Sequence, residues 1–225
     1  MDYTIEGSDM QSINVNLESG DSIYGSSGHI IFKTPEVKIN TTATGVGGGI
    51  FGMVKRGLTG GSLFVMTMEG PGNVSFTGFF PGKIKDITLD GSTDILVEHN
   101  SFIFAENSVV YDAAVPSVKF MVFGGEGIFL AKFRGSGKLF VHGVGGCIEK
   151  DLDAGETIQV EMSHLLAMES KVTYNVVAAG GIKTMVLSGE GLAMISLTGP
   201  GKVWIHTSSL LKVAQSIMKY IPARN

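Results

Sequence analysis

Short apolar runs, each bounded by glycine or proline, recur along most of the chain. Their content of β-branched and aromatic residues is typical of β-strands. The clearest runs lie at 62–68, 138–142 and 202–206. Because neighbouring side chains of a strand point to opposite faces, Phe140 and His142 would share one face, with Leu139 and Val141 on the other. The pattern predicts sheets covered on both sides, as in a β-sandwich or a squat barrel.

The end of the chain follows a helical period instead. Ser208 or Ser209 can cap a helix and Pro222 closes it, which predicts a helix over 209–221. Its apolar side chains form one stripe: Leu210, Val213, Ala214, Ile217 and Ile221. We expect this stripe to pack against the sandwich. Attachment to a membrane surface is the weaker alternative, because the basic face of the helix is thin.

The chain also repeats itself at a spacing near 64 residues. The segment 125–138 returns as 189–202, and His142 falls on His206. A fainter copy comes first in the chain, and there His29 aligns with His164. Self-similarity of this kind indicates a repeat architecture. We predict copies at 13–80, 88–143 and 152–207 within one compact domain, 1–225, that ends in the helix.

Glycine-x-glycine segments occur at the same place in each copy. Glycine permits a positive φ at a tight reversal, so a turn explains their recurrence without any ligand. Glutamates that precede glycine are expected to accept hydrogen bonds from turn N–H groups. We assign structural turn roles to Gly70, Gly72, Gly135, Gly137, Gly199, Gly201, Glu126 and Glu190.

Composition narrows the functional classes. The 32 glycines are about twice the usual share, as in β proteins with many turns. A formal charge of −4 is unlike the basic excess of nucleic-acid-binding surfaces. Cys147 is the single cysteine, so a reducing compartment fits best. The acidic start is no secretory signal, and no apolar stretch reaches the length of a membrane span, so we expect a cytoplasmic protein.

Candidate catalytic groups do not assemble into a known signature. A cupin-type metal site usually needs two histidines two residues apart, and no pair among the five histidines is that close. Repeat-equivalent histidines, such as His142 and His206, are expected to lie far apart. Carboxylates recur in the same way, and we expect them to hold turn amides rather than to form an acid–base pair: Glu98 and Glu161, Glu106 and Glu169. We therefore expect no enzyme, no metal and no cofactor.

An extra loop at 44–62 distinguishes the first copy. Its glycines at 45–49 complete neither a Walker nor a dinucleotide pattern. An apolar, slightly basic loop can dock on a partner, on another copy of the chain or on a membrane surface. Folding over its own sheet is an equal alternative. The candidate interaction residues are Ile50, Phe51, Met53, Lys55 and Arg56.

Several short segments carry a family resemblance: 55–60, Gly70-Pro71-Gly72, Pro81-Gly82, 101–105, and 189–192 with 198–205. Together they resemble the altered-inheritance-of-mitochondria family, a mitochondrial-biogenesis family also described as a domain of unknown function. Its members are similar to triplicated units of the tryptophan-RNA-binding attenuator protein. The resemblance implies an all-β fold of three tandem small β-sandwiches, a short double-stranded β-helix variant, in a pseudo-threefold array with a C-terminal α-helix.

The resemblance also implies self-association, and it brings no catalytic residues. We expect a non-catalytic binding or scaffold protein whose function is unknown. Its expected partners are copies of itself, as a trimer or a multiple of one, and an unidentified protein. An attenuator-like nucleic-acid-binding module is the alternative, on fold analogy alone, although nucleic acid is not the expected partner. A membrane contact would use the 44–62 loop or the C-terminal helix.

Overall fold

The protein is mainly β-structure with a short helix near its C-terminal end, as predicted. The computed structural model describes residues 1–40, 65–112, 130–178, 193–218 and 220–221. These contain eighteen strands in three sheets. The predicted interaction loop, with Ile50, Phe51, Met53, Lys55 and Arg56, lies outside the described residues, and so do Glu126 and Glu190.

The first part of the chain forms two small antiparallel ladders around one core. Its strands are β1 (Asp2–Glu6), β2 (Ser12–Leu17), β3 (Ser22–Ser26), β4 (Ile30–Lys33), β5 (Lys38–Asn40), β6 (Val65–Glu69) and β7 (Gly72–Thr77). One is a four-stranded sheet with the order β1-β2-β7-β4. In the other, β6 lies between β3 and β5 and pairs with both. In β2 the buried Ile13, Val15 and Leu17 alternate with polar residues, so a single face of the strand enters the core.

The middle part contains one long strand whose two halves pair with different strands. Its strands are β8 (Gly82–Asp90), β9 (Ile95–Glu98), β10 (Phe102–Glu106), β11 (Val109–Asp112) and β12 (Leu130–Val144). The first half of β12 pairs with β9 and β11, and the second half pairs with β8 and β10. All four side chains from Leu139 to His142 are buried, as the two-faced pattern predicts.

The glycines of β12 correct one detail of the sequence prediction. Gly135 and Gly137 have positive φ values of 108° and 150°, which only glycine adopts readily. They do not form a tight reversal, however, because β12 continues through them from one ladder into the next. The matching segments, Gly70 to Gly72 and Gly199 to Gly201, also join strands of different sheets. The chain therefore crosses between sheets at these positions instead of folding back.

The last part repeats the same pairing order. Its strands are β13 (Cys147–Leu152), β14 (Thr157–Glu161), β15 (Leu165–Glu169), β16 (Thr173–Ala178), β17 (Ala193–Thr198) and β18 (Gly201–His206). β18 pairs with β13 and β15, while β17 pairs with β14 and β16. Short 3₁₀ turns precede β4, β10 and β15. They are η1 (Ser27–His29), η2 (His99–Ser101) and η3 (Met162–His164).

Two ladders join the three parts into one body. β10 pairs with β3, and β15 pairs with β9, so an eleven-stranded sheet runs from β13 to β5. At the first junction, Phe104 stacks between Phe76 of β7 and Phe140 of β12, with ring centroids 4.6 and 4.3 Å away. All three rings have no exposed surface. The core therefore continues across the junction.

The helix α1 (Leu210–Met218) is shorter than predicted, and hydrogen bonds of Ser209 anchor its start. The Ser209 hydroxyl accepts a hydrogen bond from the Lys212 N–H at 3.2 Å and one from the Ser163 hydroxyl at 2.9 Å. The predicted packing of the apolar stripe is wrong, since Ile217 is 52% and Ile221 61% exposed. Polar contacts of the first turn fix the start of the helix, and side chains of its later turns are exposed. Within the described ranges, no helix is long and apolar enough to cross a membrane.

Candidate functional site

The repeated glutamates hold the points at which the chain crosses between sheets. Glu106 accepts a hydrogen bond from the Lys138 N–H at 2.7 Å, and Glu169 accepts one from the Lys202 N–H at 2.9 Å. In the first part, the Thr34 hydroxyl accepts from the Asn73 N–H at 3.1 Å. A carboxylate bound to a backbone N–H is a strong, charge-assisted contact. These glutamates therefore have the structural role that the sequence predicts.

The second pair of repeated glutamates binds the 3₁₀ turns. Glu98 accepts hydrogen bonds from the Ser101 hydroxyl at 3.0 Å and the Asn100 amide at 2.9 Å. Glu161 accepts from the Ser163 hydroxyl at 2.7 Å. Burial alone would raise the pKa of Glu98, but hydrogen bonds, His99 first among them, keep it below the ordinary value. Both carboxylates are thus engaged within their own turns.

We expect Glu169→Ala to lower the free energy of unfolding by about 1–2 kcal/mol, because the Lys202 N–H would lose its partner in a half-buried site. Chemical denaturation followed by intrinsic fluorescence measures this change. Replacement of the exposed Glu36 by alanine is the matched control and should cost under about 0.5 kcal/mol. Equal effects of the two substitutions would contradict the structural role of Glu169.

The histidines come together, contrary to the expectation that repeat-equivalent ones lie far apart. The rings of His164 and His206 have centroids 6.1 Å apart. His206 also lies beside the residues that follow His142, because its Nδ1 is 3.4 Å from the Val144 nitrogen. The cause is the convergence of three chain segments, because Gly82 forms parallel bridges with both Met10 and Gly145. Backbone hydrogen bonds from Thr207 to Gly146 and from Ser208 to Val144 add the end of β18 to the same place.

Hydrogen bonds to backbone groups hold three rings of this cluster in place. The Nδ1 atoms of His29 and His164 lie 2.7 Å from the carbonyl oxygens of Thr77 and His206. The His206 Nε2 lies 2.9 Å from the Ser163 carbonyl, while its Nδ1 accepts from the Val144 N–H at 3.4 Å. A ring that donates from one nitrogen and accepts at the other is neutral. His206 is therefore a neutral structural histidine, and burial lowers its pKa.

His142 differs from the others, because its buried Nε2 has no hydrogen-bond partner. Burial, with a smaller contribution from the neighbouring His29 and His206, lowers its pKa to about 4. The ring packs against the backbone of Gly78, where a Cβ atom would collide with it. The neutral ring is the form that this site accommodates.

The histidine cluster does not have the geometry of a metal site. Among the residues that the structure describes, no group of three or more His, Cys, Asp or Glu side chains could hold a metal ion. An open groove of about 300 Å³ lies elsewhere, between β3 and the turn after β10. Its lining includes Asp21, which pairs with the N-terminal ammonium, and Glu106, which is bound to Lys138. The charged groups of the groove are thus already engaged.

Several half-exposed lysines of the sheets are paired with carboxylates, and one of these ion pairs joins the middle and last parts of the chain. Lys138 contacts Asp86 at 3.1 Å and the Tyr3 hydroxyl at 2.9 Å. Lys85 and Lys202 contact Glu149 at 3.0 and 3.2 Å. The hydrogen bond from Lys85 is the main cause that lowers the pKa of Glu149. The contacts of Lys85 with Glu149 and of Lys138 with Tyr3 thus join different parts of the chain.

An apolar strand edge is the exposed feature that sequence reasoning missed. In β4, Ile31 is 50% and Phe32 is 53% exposed. After the same irregularity in the ladder, Phe104 of β10 and Ala167 of β15 occupy the position of Phe32, and neither has exposed surface. The sequence carries no signal for this difference, because the run after His29 is as apolar as the run after His164.

These features define a mainly β protein with a short C-terminal helix. The model of the mitochondrial biogenesis AIM24 family matches residues 3–208, and the chain belongs to that family. This confirms the resemblance seen in the sequence.

The chain is similar to proteins of Streptococcus pyogenes. An uncharacterized protein of serotype M6 is 25% identical over 230 residues, which cover 99% of this chain and 92% of that protein. A crystal structure of a protein from the same species has a TM-score of 0.79 and 23% identity, and covers 98% of this chain and 99% of the other. The second similarity shows the fold.

Proposed function

We propose that the protein is a non-catalytic binding or scaffold protein that self-associates. We further propose that it consists of three tandem copies of one small β-sandwich of the attenuator-protein type. The recurrent pairing order supports the copies: β2-β7-β4, β8-β12-β10 and β13-β18-β15 form one kind of ladder. The other kind is formed by β3-β6-β5, β9-β12-β11 and β14-β17-β16.

A non-catalytic role is supported by what the reactive side chains do. Glu106 and Glu169 are bound to backbone amides, and His206 is hydrogen-bonded at both ring nitrogens. An acid–base catalyst needs a group that is free to reach a substrate. The groups that recur along the chain are instead engaged in holding turns and strand ends.

The observation that carries the proposal is the exposed apolar edge of β4. Soluble proteins usually cover or charge their edge strands, because an open edge can pair with another chain. Among the described strands, β4 has a neighbour on one side only, and its Ile31 and Phe32 are exposed and apolar. The corresponding strands β10 and β15 are enclosed. A partner that covers β4 would enclose it in the way that β10 and β15 are enclosed.

Sedimentation velocity over about a hundredfold range of concentration tests the self-association, because assembly depends on protomer concentration. We expect the purified protein to sediment as more than one chain, and a monomer at every concentration would contradict the proposal. A panel of ester, phosphate and glycoside substrates tests the non-catalytic part. Turnover of any of them by the purified protein would overturn it.

A further inference from the structure

The two internal junctions follow one pairing rule. In the first, Phe104, Ala105 and Glu106 of β10 lie opposite Gly25, Tyr24 and Ile23 of β3. In the second, Ala167, Met168 and Glu169 of β15 lie opposite Val97, Leu96 and Ile95 of β9. In both cases, the strand that follows a 3₁₀ turn pairs with the strand that precedes the 3₁₀ turn of the previous part. The register is the same in both.

Two strands take no part in such a junction: the strand after the first 3₁₀ turn and the strand before the last one. Among the described strands, β4, which follows η1, pairs only with β7, and β14, which precedes η3, pairs only with β17. In the part of the chain that the structure describes, no ladder joins β4 to β14, and they belong to separate sheets. Each edge therefore lacks the neighbour that its counterparts have inside the chain.

We propose that β14 of one copy pairs antiparallel with β4 of a second copy, so that a third junction forms between chains by the internal rule. This inference rests on the proposed self-association and names its contact. The common register places Phe32 opposite Val160, Lys33 opposite Gln159, and Thr34 opposite Ile158. The exposed Ile31 and Phe32 would then be enclosed as Ile103 and Phe104 are.

The chemistry of the two edges is compatible with this register. Phe32 meets Val160, and an aromatic side chain opposite a β-branched one is a favourable cross-strand pair. Lys33 meets the neutral Gln159, so none of the three pairs sets like charges opposite each other. Because the two edges differ, the contact is heterologous, and its repetition gives a closed ring or an open filament.

Disulfide trapping tests the contact and its register. Opposite residues of paired strands have Cβ atoms within reach of a disulfide. In a Cys147→Ser background, we would mix a Lys33→Cys chain with a Gln159→Cys chain under mild oxidation. We expect a covalent dimer in the mixture and none from either chain alone. A mixture of Asp2→Cys, on the opposite edge β1 of the same sheet, with Gln159→Cys is the control and should not cross-link.

The main competing occupant of β4 is the chain's own β14. A chain that carries both Lys33→Cys and Gln159→Cys distinguishes the two, because closure within one chain gives an oxidised monomer, while the proposed contact gives covalent oligomers. An oxidised monomer, or a mixture of the single variants without a covalent dimer, would overturn the proposal. Thermal unfolding before oxidation verifies that each variant is folded.

Replacement of the edge itself provides a test without cysteines. Phe32→Asp places a charge on a half-exposed position, and we expect it to shift the sedimentation profile to the monomer. Ile148→Asp, at a 45% exposed position on the edge strand β13, should leave assembly unchanged. An oligomer insensitive to Phe32→Asp would overturn this contact but leave self-association standing. A wild-type protein that is always monomeric would overturn both.

Discussion

Phe104→Ala is expected to lower the free energy of unfolding by about 3–5 kcal/mol, the usual cost of removing a fully buried aromatic ring. The ring stacks on Phe76 and Phe140, which lie in neighbouring parts of the chain. Its loss would leave a cavity at the first internal junction and remove two aromatic contacts together. Equilibrium denaturation with urea, monitored by circular dichroism, measures the change.

Phe79→Ala is the matched control, because Phe79 is also a phenylalanine of this region but is 58% exposed. We expect it to cost under about 1 kcal/mol, since an exposed ring has less apolar surface to return to water. A Phe104→Ala protein as stable as the Phe79→Ala protein would contradict the described core.

The stability of the protein is expected to fall by about 2 kcal/mol between pH 7 and pH 5. The pKa of His142 is about 4 in the folded protein, against an ordinary value of 6.5, so the unfolded chain binds more protons in this range. The contribution of neutral His142 is therefore complete above pH 6.5 and is lost as the pH falls towards 4. Burial lowers the pKa of His29 and His206 in the same direction.

His142→Gln is the control for this pH dependence, because glutamine does not titrate. We expect the variant to lose most of the slope between pH 7 and pH 5, with a smaller slope left from His29 and His206. Carboxylates such as Glu149 and Glu98, whose pKa values are lowered from the ordinary 4.5, contribute mainly below about pH 5. Urea denaturation at each pH measures the effect, and equal slopes in wild type and variant would contradict it.

The sequence predicts the strands well, because their signal is local. The alternation in β2 and the two-faced runs around Phe140 and Trp204 follow from the period of a strand, and they mark the buried side chains correctly. The repeated positions of Glu106 and Glu169 also indicate a shared structural role before any contact is known. The strand pattern lies within a few neighbouring residues, and the shared role of the two glutamates needs only a comparison of two copies in the sequence.

Features that depend on how the parts meet could not be predicted. The approach of His142 to His29 and His206 results from bridges between distant segments, which no local pattern records. The exposure of Phe32 depends on the absence of a neighbouring strand, while Phe104 has one. The apolar stripe of α1 predicts a packed helix, yet the polar contacts of Ser209 with η3 decide its position.

Sheet continuity has a consequence for how a chain of this kind can lengthen. If the three parts are copies of one unit, as proposed, each unit offers one strand to its predecessor and one to its successor. A duplicated unit inserted between two others could pair with a strand of each neighbour and would form the same two kinds of junction. Gene duplication could therefore add units without redesign, whereas the strands β4 and β14 would always remain at the two ends. Selection for solubility or for assembly would then act mainly on those end strands.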